Sequence, residues 1–88
     1  MEVQNFFTIL GKVKFLSDND IHTINIKVVE NGRDTIVKIY LKDKLYENAK
    51  EYLNIDDLVA IKGHIEVKRG MVELVADKLS FLCSRGGN

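Results

Sequence analysis

The 88-residue sequence contains no proline. Changes of chain direction therefore fall to Gly, Asn and Asp, which suits a domain built mostly of strands. Tryptophan is absent and cysteine occurs once, as Cys83. A lone cysteine closes no internal disulfide, so the expected setting is reducing and cytoplasmic. No apolar run is long enough to cross a bilayer, which excludes a helical membrane protein. The N-terminus lacks a charged region followed by an apolar core, and no secretory signal is expected. An excess of charge of one sign is also missing, since 13 basic residues balance 13 acidic ones. That argues against a strongly basic, non-specific nucleic-acid binder but leaves room for a local basic strip. Histidine occurs only as His22 and His64. With one cysteine they supply no metal set and no nucleophile–base set, so neither an enzyme nor a cofactor is expected. Asp56 and Asp57 are adjacent in sequence and read as a turn.

What is present is alternation. In Thr35–Asp43, Val37, Ile39 and Leu41 point one way, and Lys38, Tyr40 and Lys42 the other. This is the signature of a half-buried strand. Its outer face sets two cations around one ring. Lysines neutralise phosphates and a ring stacks on a base, so that face fits a single-stranded nucleic acid. Asn5–Phe15 alternates as well, with Phe7, Ile9, Gly11, Val13 and Phe15 on one face and Thr8, Lys12 and Lys14 on the other. A polar turn follows at residues 17–20. Ile21–Glu30 places Ile24, Ile26 and Val28 inside and Thr23, Asn25 and Lys27 outside. Asn31-Gly32 then marks a tight hairpin, because both residues accept positive φ. The hairpin brings Lys27 near Lys38 or Tyr40 on a shared outer face.

The period lengthens after Leu41. Asp43–Leu53 reads as a helix with Leu45, Ala49, Tyr52 and Leu53 on its inner stripe and Asp43 as N-cap. Leu58–Lys68 is the fourth strand, with Val59, Ile61, Gly63, Ile65 and Val67 inside and Lys62, His64, Glu66 and Lys68 outside. Lys68-Arg69-Gly70 is a basic hairpin tip. Met71–Leu82 is the fifth strand, with Val72, Leu74 and Ala76 on one face and a register change near Asp77. Gly11 and Gly63 lie mid-strand, where a curved wall needs a bend. Three strands, a helix and two strands is the element order of the all-β, five-stranded Greek-key OB barrel, with the short helix between strands three and four. Residues 1–83 are expected to form this one domain and residues 84–88 a flexible tail.

The join of helix and fourth strand carries a family resemblance. Glu51-Tyr52-Leu53 followed by Leu58-Val59-Ala60-Ile61-Lys62-Gly63-His64-Ile65 resembles the corresponding segment of bacterial single-stranded-DNA-binding proteins. The run from Glu73 to Leu82 is similar to that family's last barrel strand. The run from Asn5 to Val13 resembles its first, with Gly11 at the matching place. Together these cover nearly the whole chain. The resemblance implies sequence-tolerant binding of single-stranded DNA in replication, recombination or repair. There are departures. The family's stacking aromatics correspond to Ile36 and Lys42 and to positions near Gly32 and Gly70, none of them aromatic here. The family's glycine-rich linker and acidic tip are missing.

The site expected from these readings is Lys27, Lys38, Lys42, Lys68 and Arg69 on phosphates and Tyr40 under a base, with Lys62 and His64 extending the track. The expected partner is single-stranded DNA or RNA, with no membrane. Phe6 and Leu10 are apolar on the outer face of the first strand, which predicts a homodimer or homotetramer through that strand. The competing reading is a primosome-like accessory module that uses its surface to hold a protein.

Overall fold

A computed structural model describes residues 5–18 and 22–83. The strands are β1 (Phe6–Asp18), β2 (His22–Glu30), β3 (Arg33–Leu41), β4 (Leu58–Lys68) and β5 (Met71–Cys83), and the one helix, α1, is Asp43–Tyr52. They close into a barrel in the order β1-β2-β3-β5-β4. All neighbours pair antiparallel except β3 and β5, which run parallel. Period-two alternation explains the interior: Ile24, Ile26, Ile39, Val59 and Ile61 are sealed from solvent. Turn chemistry explains the register. Asn31 and Gly32 take φ of 54° and 75°, so Glu30 pairs with Arg33 across a two-residue loop. Arg69 and Gly70 make the same left-handed turn between Lys68 and Met71.

Both mid-strand glycines sit where walls approach closely. A Cβ on Gly11 would lie 2.5 Å from Ile26 Cγ2 and from the Lys27 carbonyl oxygen. One on Gly63 would overlap the Val75 carbonyl oxygen and the Phe7 ring.

Three sequence expectations are corrected. The register of β1 shifts between Val13 and Phe15, so Lys14 is an extra residue and the alternation flips. Phe15 therefore points outward with Asn25, and it is 54% exposed. The bulge is held from outside the strand. Val13 donates to the Asp57 carbonyl at 2.9 Å, Asp56 donates to the Val13 carbonyl at 2.7 Å, and Lys14 Nζ lies 3.2 Å from Asp56 Oδ1. The Asp57 carboxylate in turn accepts from the Asn54 amide at 2.8 Å, which fixes residues 54–57 as a structural turn.

The second correction concerns α1. Tyr46, not Tyr52, faces the barrel: the first is 4% exposed and the second 68%. Tyr46 closes the bottom of the core by stacking on His22, ring centroids 4.0 Å apart. Lys42 is the N-cap and makes no side-chain cap bond, while Asp43 is the first helical residue. Its carboxylate suits the helix dipole and lies 3.4 Å from His22 Nδ1.

The third correction is at the β4–β5 hairpin. Val67 and Val72 pair with each other on the nominal inner face, but the hairpin projects past the barrel and both are exposed. The expected register change near Asp77 is present, between Lys62↔Lys78 and Gly63↔Ala76. The expected polar turn falls partly within β1, and residues 19–21 lie outside the described residues, as does the expected tail at 84–88. Among the described residues no helix is long and apolar enough to cross a membrane.

Candidate nucleic-acid interface

The outer wall is best followed as rows that cross the strands. One row is Lys12, Lys27 and Ile36; the next is Phe15, Asn25 and Lys38; the third is Thr23 and Tyr40. Adjacent strands lie about 4.8 Å apart and successive outward residues of one strand about 6.8 Å apart. These rows therefore form one continuous patch on β1, β2 and β3. Lys27 faces Ile36 directly, and Lys38 is its diagonal neighbour, because the two-residue turn fixes the offset. Lys27 Nζ also lies 3.3 Å from Asp34 Oδ2. Lys38 is exposed and makes no ion pair among the described residues. Tyr40 is half-buried on the outer face.

The row of Tyr40 continues around the barrel through Val75 and His64 to Phe6. Here the electrostatics change. His64 Nδ1 lies 2.8 Å from Asp77 Oδ2 and its Nε2 lies 2.7 Å from Glu66 Oε2. A carboxylate only accepts, so both bonds form together when each ring nitrogen carries a proton, that is, in the imidazolium form. The bonds to Asp77 and then Glu66 raise the His64 pKa above its ordinary 6.5. The bond to His64 lowers the Glu66 pKa in return, with help from the charges of Lys68 and Lys42. Lys68 Nζ sits 3.7 Å from both Glu66 Oε1 and Glu73 Oε1. His64 and Lys68 are thus largely neutralised by three carboxylates, Glu66, Glu73 and Asp77.

The other expected cations are more dispersed. Lys42 is exposed where β3 ends. Lys62 is exposed in a row with Thr8 and Lys78, two strands around the wall from Tyr40. Arg69 is exposed at the tip of the β4–β5 hairpin. The structure thus gathers Lys27, Lys38 and Tyr40, and adds Lys12 and Phe15, which sequence reading left out of the site. Lys12 was legible as an outward residue of β1, but only the strand pairing puts it beside Lys27. Phe15 was hidden by the bulge.

A groove adjoins this patch. β3 and β5 pair only at Tyr40↔Val75 and Leu41↔Ala76. Beyond that point the strands diverge and leave an opening of about 520 Å³ between Ile36–Tyr40 on one side and Val72–Leu74 on the other.

With the geometry in hand, comparison with solved structures decides the fold. A mitochondrial single-stranded DNA binding protein of S. cerevisiae superposes with TM-score 0.77 at 17% identity, covering 91% of this chain and 94% of that one. The chain is an OB fold. The N-terminal domain of the PriB protein of Thermoanaerobacter tencongensis, a dimer, gives 0.68 at 18% identity over 89% and 96% of the two chains. The small single-stranded DNA-binding protein of Streptomyces coelicolor gives 0.64 at 15% identity over 93% and 95%. No protein-family model matches the sequence, and no curated protein does. The OB barrel places the outer patch and the groove on one side of a closed wall, with α1 covering the bottom of the core.

Proposed function

We propose that the protein binds single-stranded DNA, and that the patch on β1, β2 and β3 is its contact surface. The observation that carries this reading is that Lys12, Lys27 and Lys38 share one face with the Tyr40 ring, Lys38 next to it, on a molecule with zero net charge. Phosphates give such a surface its affinity and a ring gives it a preference for unstacked bases. Lys42, just past the end of β3, and Arg69, at the tip of the β4–β5 hairpin, extend the track. Lys62, His64 and Lys68 contribute less, because Lys62 lies further round the wall and carboxylates already hold the other two. The protein's place is then in replication, recombination or repair in the cytoplasm, with single-stranded RNA as the competing ligand.

Fluorescence anisotropy of a labelled oligo-dT tests this. Binding is expected to fall steeply with salt, and Tyr40→Ala to weaken it by about 5- to 100-fold, the equivalent of losing one stacked base. No salt-sensitive binding at tens of micromolar protein overturns the reading, and an equal titration with oligo-U tests the preference for DNA.

A second reading has its own support. Phe6 and Leu10 lie outward on β1, where Phe6 adjoins His64 and Leu10 adjoins Ala60, and both are exposed. This apolar stripe suits a self-complementary contact between two copies of the chain. The protein would then act as an oligomer, either in binding DNA or as an assembly subunit that holds a protein.

A further inference from the structure

Asn25 is a polar side chain for which the barrel has no use. It is 7% exposed, and among the described residues its amide makes no hydrogen bond. Among the described residues, side-chain nitrogens and oxygens that are fully sealed all have partners. The Asn25 amide, having none, therefore keeps its polar atoms at the opening. Strand alternation directs it outward, since Ile24 and Ile26 on either side are in the core. Its cross-strand neighbours on that face are Phe15 and Lys38. A short amide thus lies in the dip between an exposed ring and an exposed ammonium group, each about one strand spacing away.

We propose that Phe15, Asn25 and Lys38 form a subsite for one nucleobase of the bound strand. The inference rests on the nucleic-acid reading above. The base lies on the Phe15 ring, its edge bonds to the Asn25 amide, and its phosphate meets Lys38. An amide offers a donor beside an acceptor. Each of the four bases offers the same combination on its pairing edge, so the subsite accepts any base. In a duplex that edge is paired and the base face is stacked, so the subsite excludes double strands. The bulge at Lys14 is what supplies the ring. Without it, Phe15 would point into the core and Asn25 would have no platform beside it.

The chain has no tryptophan, so Phe15→Trp introduces a unique reporter at an exposed position. A labelled oligo-dT is titrated, and anisotropy and indole fluorescence are followed together. The expected result is quenching of the indole in step with the rise in anisotropy. Phe15→Ala should weaken binding about tenfold, Phe15→Tyr should restore it, and Asn25→Leu should weaken it several-fold. Circular dichroism shows whether each variant is folded; Phe15→Trp keeps a large ring and decides the matter if Phe15→Ala does not fold. Rising anisotropy with an unquenched indole, or wild-type affinity in folded Phe15→Ala, overturns the subsite and leaves DNA binding intact. Anisotropy that never rises overturns both.

Discussion

His64 is held from both sides by carboxylates, and this gives the surface a pH dependence of definite sign. Its folded pKa lies above 6.5 because Asp77 and Glu66 accept from the imidazolium. The stabilisation is fully present below the unfolded value and is lost as pH rises through the folded one. For Glu66 the shift is downward from 4.5. Its contribution is present above that value and is lost as pH falls through the folded one. The network is therefore strongest between the two ranges, at about pH 5–6. In an NMR titration the His64 ring should change charge above 6.5. The stability difference between wild type and His64→Gln should be largest near pH 5–6 and shrink toward pH 9. A His64 ring that titrates at or below 6.5 would show that the carboxylates do not hold it in solution.

Among the elements, α1 and β1 show what a periodic pattern conveys and what it does not. The alternation in β2, β3 and β4 located Ile24, Ile26, Ile39, Val59 and Ile61 in the core, because burial on one face of a pleat is a local matter. The Asn31-Gly32 turn fixed the β2–β3 register for the same reason. The bulge at Lys14 was not legible, because the backbone groups that hold it belong to Asp56 and Asp57, far along the chain. One inserted residue reverses the parity of everything beyond it, and so an aromatic of the outer patch read as core. In α1 the inner face keeps Leu45, Ala49 and Leu53 of the expected stripe and exchanges Tyr52 for Tyr46, a turn of only part of one 100° step. The hydrophobic spacing fitted either face; stacking between Tyr46 and His22 selects one. Tyr46→Ala should therefore cost about 3–5 kcal/mol of stability, in the range for truncating a buried aromatic. Tyr52→Ala should cost less than about 0.5 kcal/mol. Urea unfolding of the two variants measures this, and equal losses would show that both tyrosines pack alike.

On the scale of the whole molecule, zero net charge conceals how the charges are placed. Lys12, Lys27 and Lys38 share one face of β1, β2 and β3, while Glu66, Glu73 and Asp77 hold His64 and Lys68 on β4 and β5. Composition reports only their sum, so the extent of the basic patch could not be read from it. The apolar stripe of Phe6 and Leu10 adds a third region on the same closed wall. If it joins two copies, Phe6→Glu combined with Leu10→Glu should halve the mass measured by light scattering while leaving the circular dichroism spectrum unchanged. A wild-type protein that is monomeric at high concentration would remove that contact from consideration.

The parallel bridge of Tyr40 and Leu41 to Val75 and Ala76 is the shortest of the barrel's seams. A ladder of so few bonds yields before its long antiparallel neighbours do, and amide hydrogens at that bridge should exchange with solvent ahead of those in β4. Once unfastened, the ring becomes a flat ribbon with β3 and β5 as bare margins, each able to template another chain. Heat-induced clumping of this protein would then start along those two margins, while most of the wall is still intact.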